Sequence, residues 1–194
     1  DSVVGLTARV DGLYVIVIVS EPVFPEASVA VTLILLVPGA SVADAVHVVR
    51  GTKTARIPLV ADAFVVLEIG GKRTALLVEI DMGTVSLARM RAKYEGYVAW
   101  WRTGGPERRF GTKSLRVLTI TPHASRMARL HDAAIDVAGS LGGGLLWFAT
   151  TDVLDLDHPH RFLAPAFRAA RRDAVCERLF GETPAAPGLA PAAA

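Results

Sequence analysis

Two apolar, β-branched runs, Ile57 to Ile69 and Arg73 to Ile80, meet at Gly70-Gly71, and this arrangement constrains the fold more than any other feature of the chain. Gly-Gly between two such runs supplies the positive φ angles of a tight turn, so the segment reads as a β-hairpin. A symmetric turn pairs Ile69 with Lys72, and counting outward from that pair brings Asp62 opposite Glu79. Directly opposed residues have β-carbons about 4.5–5.5 Å apart, and two like charges at that distance need a compensating cation or a raised pKa. Side chains alternate with period two, so Asp81 falls on the same face as Glu79. Three carboxylate oxygen donors would suit Mg²⁺ or Mn²⁺. The plainer alternative has Asp62 at a bulge facing solvent, Glu79 paired with a surface arginine, and Asp81 ending a strand. A three-residue turn would slip the register and separate the pair.

The segment after the hairpin alternates helix and strand. Leu87, Met90, Tyr94, Tyr97, Val98 and Trp101 recur at helical spacing until Gly104-Gly105-Pro106 stops them, and Lys93 lies at the edge of that apolar face, within reach of the sheet. Leu115 to Ile120 is a strand, Pro122 to Val137 an amphipathic helix, and Leu145 to Ala149 a further strand beyond Gly142-Gly143-Gly144. Such alternation predicts an α/β fold with a mixed central sheet flanked by helices. Upstream, Leu13 to Val19 and Val29 to Val37 read as two buried strands, and Ser41 to Val49 as a short helix. Downstream, Ala164 to Phe180 reads as a closing helix, and the Ala/Pro-rich stretch after it as a disordered tail. The expected organisation is therefore an N-terminal segment over 1–55, a core over 56–180 and a tail over 181–194.

Charge is uneven despite a net +2. Between Val85 and Leu130 ten basic residues (Arg89, Arg91, Lys93, Arg102, Arg108, Arg109, Lys113, Arg116, Arg126, Arg129) face two acids, Glu95 and Glu107. A phosphate-facing surface using Arg89, Arg102, Arg108, Arg109 and Lys113 follows, against the alternative of basic residues dispersed around a solvated helix and loop. The single cysteine, Cys176, excludes an internal disulfide and a four-thiolate zinc site, which fits a reducing cytoplasm. No apolar run approaches the roughly 20 residues of a membrane-spanning helix. The chain opens on Asp1 without a signal-peptide pattern and reads as a fragment or processed product.

Lesser candidates are weaker. Asp155, Asp157, His158 and His160 could share a transition metal or form a capping turn around Pro159. Trp100, Trp101, Tyr94 and Tyr97 could stack on bases, although Tyr97 and Trp101 fit the buried stripe. Ser140 to Gly144 has the glycines of a phosphate loop without the Lys-Ser/Thr that would complete it, and His123 and His131 have no visible partner.

Several blocks together resemble the replication-relaxation family of actinobacterial plasmids and mobile elements. They are Leu59-Val60-Ala61-Asp62-Ala63, Leu77-Val78-Glu79-Ile80-Asp81-Met82-Gly83-Thr84, Lys93-Tyr94 with Tyr97, Arg116 to Thr121, and Gly144 to Phe148. The resemblance runs roughly from Arg56 to Phe167, and the Glu-x-Asp-x-Gly-Thr block with its downstream Lys and Tyr is its most specific part. Ala61 stands where the family usually has proline and Met82 where it often has arginine, and residues 1–55 do not resemble the family's helical N-terminal region. The resemblance implies a role in plasmid replication or DNA mobilisation, with DNA and replication or mobilisation proteins as partners. The order of elements also looks like the restriction-endonuclease-like core of PD-(D/E)xK nucleases. That likeness implies Asp62 and Glu79 as metal ligands; Asp81 occupies the usual lysine position, and Lys93 would replace that lysine from the helix. Two readings result: a Mg²⁺- or Mn²⁺-dependent endonuclease using Asp62, Glu79, Asp81 and Lys93, or a catalytically silent DNA-binding or scaffold module. A protein-interaction module is a third.

Overall fold

The computed structural model describes residues 3–10, 13–20, 31–32, 34–38, 43–50, 52–69, 72–154, 164–173 and 175–179. The metal-binding alternative at Asp155–His160 and the tail over 181–194 lie outside the described residues. The strands are β1 (Val3–Val10), β2 (Leu13–Ser20), β3 (Val31–Thr32), β4 (Ile34–Pro38), β5 (Ala43–Arg50), β6 (Lys53–Val60), β7 (Ala63–Ile69), β8 (Lys72–Ile80), β9 (Leu115–Thr121), β10 (Leu146–Thr150) and β11 (Arg168–Ala169). The helices are α1 (Leu87–Arg102), α2 (Gly105–Phe110), α3 (Ala124–Ala138) and α4 (Gly142–Leu145). The main sheet runs β1-β2-β4-β7-β8-β9-β10-β11, with β3 also on β7, and β5 and β6 pair separately.

The sheet is mixed, as the alternation of strands and helices predicts. β7 and β8 form the antiparallel hairpin with Ile69 opposite Lys72 and Ala63 opposite Val78, so the symmetric-turn register holds. β8, β9 and β10 are parallel, β9 and β10 each being reached through a helical crossover, and β11 returns antiparallel on β10. One face of the sheet carries α1 and α3 over Ala75, Leu77, Val117, Leu146 and Phe148. The other face buries Leu76, Val78, Leu118, Ile120 and Trp147 beneath Val153, Phe167 and Leu179.

Three sequence expectations are corrected. The run from Ile57 to Ile69 is two strands: β6 ends at Val60, Ala61 and Asp62 break the ladder, and β7 begins at Ala63. β6 instead pairs with β5, Val46 opposite Ile57 and His47 opposite Arg56. The short helix expected over Ser41 to Val49 is therefore a strand over its described part, because β6 supplies the backbone partners a four-valine segment can use. Val46 and Val48 turn inward and His47 and Val49 outward, which is strand alternation. This hairpin also spans the expected break at residue 55.

The closing helix expected over Ala164 to Phe180 is likewise absent among the described residues there. Arg168–Ala169 pairs with β10, and Phe167 bridges Glu177. Burial of Phe167 and Leu179 against the second sheet face outweighs the helix propensity of the intervening Ala and Arg residues.

The β5–β6 hairpin lies on α1, and Gly96 explains how closely. A β-carbon there would stand 2.8 Å from Leu59 Cδ2 and 2.9 Å from Ile57 Cγ2. The helix backbone thus contacts the hairpin's apolar face directly. Among the described residues no helix is long and apolar enough to cross a membrane.

Candidate functional site

At the end of the sheet where β8 runs out, its α1-facing side becomes polar. Glu79 and Asp81 alternate onto that face beyond Leu77, and both are nearly inaccessible, at 3% and 2%. Asp62, just before β7, is exposed. Its backbone N–H donates to Val78 O (2.9 Å), and its Oδ2 accepts from Ile80 N–H (2.7 Å). The break after β6 leaves Ile80 without a ladder acceptor, and the Asp62 carboxylate takes that place.

Glu79 is held from above by α1. Lys93 Nζ donates both to Val60 O (2.8 Å) and to Glu79 Oε2, while the Tyr97 hydroxyl donates to Glu79 Oε1. Lys93 and Tyr97 are four residues apart and so share a helix face, which lets one helix grip both oxygens of one carboxylate. Burial pushes the Glu79 carboxyl above its ordinary value; Lys93 and Tyr97 oppose that shift, and the nearby Asp62 charge adds to it. The Tyr97 phenol is pushed strongly up, by burial first and by Glu79 second, so it stays a proton donor. Tyr94 is likewise raised by burial, and its hydroxyl donates to Thr119 Oγ1 at 3.2 Å.

Asp81 has different partners. Arg126 Nε of α3 donates to its Oδ2 (2.8 Å), and Gly83 N–H donates to its Oδ1 (2.8 Å). Arg126 Nη2 also donates to Val85 O, so one guanidinium ties β8 to the loop that starts α1. Gly83 has φ +82°, a left-handed conformation that glycine adopts at no steric cost, and Ser86 then caps α1 by accepting from Arg89 N–H. Glu-x-Asp-x-Gly-Thr is thus a structural sentence: Glu79 meets α1, Asp81 meets α3, and Gly83 makes the turn that allows both.

The structure brings Asp62, Glu79 and Lys93 together and directs Asp81 to Arg126. It does not place the five DNA-binding candidates in one patch with them. Arg89 is exposed in the first turn of α1, near the acidic end. Arg102, Arg108, Arg109 and Lys113 are exposed at the opposite end, between the last turn of α1 and Leu115, which pairs with Ala75 rather than with Glu79. Tyr97 and Arg126 are site residues that sequence reasoning missed. Tyr97 was absorbed in the apolar stripe of α1. Arg126 reads as one of many basic residues in its stretch, although with Leu130, Ala134 and Ala138 it forms a buried row at four-residue spacing, which is the available signal. His131, with no visible partner in the sequence, is buried with Nε2 2.9 Å from Ala169 O and its ring edge-on to Phe148.

The fold and this cluster define a class: a mixed-sheet α/β protein with a carboxylate–lysine–tyrosine network at the end of a central hairpin. Residues 40–115 match the sequence model of the family described as Replication-relaxation. The resemblance carried by the Glu-x-Asp-x-Gly-Thr block and Lys93-Tyr94 is therefore borne out over that segment, which links the chain to a replication-related role. The match takes in β5 and the start of β6, upstream of the span on which the resemblance was read, and ends as β9 begins. Neither a curated protein nor a solved structure gives a significant match.

Proposed function

We propose that the chain is a DNA-directed replication or mobilisation protein whose Asp62–Glu79–Lys93 cluster is a metal-dependent phosphodiester-cleaving site. The observation that carries this reading is the delivery of Lys93 by α1 onto Glu79, with the exposed Asp62 near enough for its charge to act on the Glu79 carboxyl. The donor chemistry fits a hard cation of modest protein ligation. Among the described residues no three His, Cys, Asp or Glu side chains form a ready-made cage. Mg²⁺ needs only one or two carboxylates when water and substrate phosphate complete its shell, and Asp62 and Glu79 would be those two. When bound, Mg²⁺ or Mn²⁺ supplies neutralisation of the developing charge and activation of water.

The protein's own groups have separable tasks in this reading. Tyr97 fixes one Glu79 oxygen, and Lys93, anchored to Val60 O, presents an ammonium that steadies an anionic phosphoryl group at the site. Asp81, engaged by Arg126, positions the loop into α1 and hence Lys93.

The test uses supercoiled plasmid incubated with the protein and Mg²⁺ or Mn²⁺. Nicking or linearisation is expected, and it should disappear in Asp62→Asn and Glu79→Gln, which preserve hydrogen-bonding shape and remove charge. Intact plasmid with wild-type protein under both ions would sink the cleavage reading. A second reading, a catalytically silent DNA-binding module, has its own support: Lys93 compensates the buried Glu79 charge without any metal ion. In that case DNA binding survives both substitutions and neither ion changes it.

A further inference from the structure

A cavity of about 320 Å³ opens at the end of the sheet away from the carboxylates, where the last turn of α1 meets the loop into β9 and the glycine-rich segment before β10. Trp101, Leu115, Leu141 and Leu145 give it an apolar lining, and Lys113, Ser114 and Arg116 a polar one. Three facts about Trp101 set it apart. Of the three tryptophans, Trp100 is 3% exposed and Trp147 5%, whereas Trp101 is only half-buried. Its indole makes no ring contact and no side-chain hydrogen bond among the described residues. And it lines the cavity while its other side packs against the main core, as helical spacing expects.

The cations here differ in availability. The Arg116 guanidinium is committed elsewhere: it donates to Leu179 O and sits 5.1 Å over the Trp147 ring. Among the described residues Lys113 pairs with Glu107 alone, at 3.5 Å with both side chains largely exposed, an ion pair of little energetic weight. Arg102, Arg108 and Arg109 are exposed around the same end, Arg108 with one nitrogen, Nη1, donating to Thr103 O and the rest of its guanidinium facing outward, and Glu107 is the only acid between Thr103 and Pro122. An aromatic and aliphatic floor with a positive rim is the pairing that holds unstacked bases and their phosphates. The volume is at the small end of ligand pockets and suits one base, not a stacked pair.

We propose that this cavity takes one unpaired nucleotide of a single DNA strand, its base against Trp101 and its phosphate at Lys113, with flanking phosphates on Arg102 and Arg108. The inference rests on the DNA-directed reading of the protein but not on cleavage, and it places strand binding at the end of the sheet remote from Asp62 and Glu79. A free mononucleotide offers the same chemistry, so the experiment separates the two sources.

Fluorescently labelled oligothymidylate is titrated with wild-type protein and with Trp101→Ala, Trp101→Phe, Lys113→Ala and Asp62→Asn, each checked for an unchanged melting temperature. Loss of one base–aromatic stack should weaken binding roughly 5- to 150-fold in Trp101→Ala and less in Trp101→Phe. Lys113→Ala should reduce the slope of log affinity against log salt by about 0.7. Asp62→Asn should bind like wild type even if cleavage is lost, which distinguishes failure at this cavity from failure of the carboxylate site. If Trp101→Ala melts early, Trp101→Phe and Lys113→Ala carry the test. Trp101→Phe and Lys113→Ala both binding within twofold of wild type, at unchanged salt slope, would overturn the proposal. Thymidine monophosphate displacing the oligonucleotide as tightly as the unlabelled strand would overturn the strand assignment. A duplex of the same sequence should gain nothing from Trp101.

Discussion

Glu79 and Asp81 stand two residues apart on one strand face, and both are buried, yet each is neutralised by a different helix. Removing a cation from such a pair leaves an uncompensated buried charge, which costs more than the pair contributes. Arg126 and Asp81 are both almost inaccessible, so Arg126→Met should destabilise the fold by about 3–5 kcal/mol in denaturant titration, and Arg126→Met with Asp81→Asn should recover much of that loss. Lys93 is partly solvated, so Lys93→Met should cost less, about 1–3 kcal/mol. Glu79 adds a pH dependence. Its folded-state pKa is raised above the ordinary 4.5, so the folded protein binds its proton more tightly than the unfolded chain does. The stabilisation from this group is fully present below 4.5 and is lost as pH rises through the raised pKa. Melting temperature followed across that window should fall more steeply with pH for wild type than for Glu79→Gln. Parallel profiles would mean that Glu79 is not the titrating group.

At the scale of elements, α1 joins the β5–β6 hairpin to the main sheet, and Gly96 sets the distance between helix and hairpin. Gly96→Val would drive a branched side chain into Leu59 and Ile57, so it should cost about 1–3 kcal/mol and raise amide exchange in β5 and β6 before β8 and β9. Uniform exchange across all four strands would contradict this. The same elements explain what the sequence revealed. The β7–β8 register was legible because Gly70-Gly71 fixes it and a one-residue slip would turn Leu77 and Leu76 to the wrong faces. α1 was legible from its stripe, and Lys93 from its angle at the stripe's edge. The β6–β7 break was not, because Ile57 to Ile69 is apolar throughout and only the partner strand β5 decides where one ladder ends. β5 itself satisfies a helical face (Ala45, Val46, Val49) and a strand face (Val46, Val48) equally well, so the choice lies in β6. Arg168–Ala169 is similar: two residues pair because β10 offers an edge, which no local pattern announces. Asp62 and Glu79 could be read from the register, whereas the Asp81–Arg126 contact spans 45 positions and depends on how α3 crosses the sheet.

The whole molecule is polarised along its strands. Ala75 and Leu115 mark one end of the parallel pair and Ile80 and Ile120 the other, and α1 carries Arg89 near the acidic end and Arg102 thirteen residues away, about 20 Å along the helix axis. A ligand engaging both ends must therefore be extended, as a nucleic-acid strand is. Binding and ion response should then separate by mutation. Reversing Arg108 and Arg109 to glutamate removes roughly two phosphate contacts, so the salt slope for duplex DNA should shrink by about 1.8 and affinity should fall most at low salt. The same variant should keep any stabilisation by Mg²⁺, which reaches about 2.7 kcal/mol at a hundredfold excess over its dissociation constant. Asp62→Asn should do the reverse, losing the Mg²⁺-dependent rise in melting temperature and keeping the salt slope. Loss of both properties in either variant would mean that the two ends act as one site, and the division of labour along the sheet would have to be abandoned.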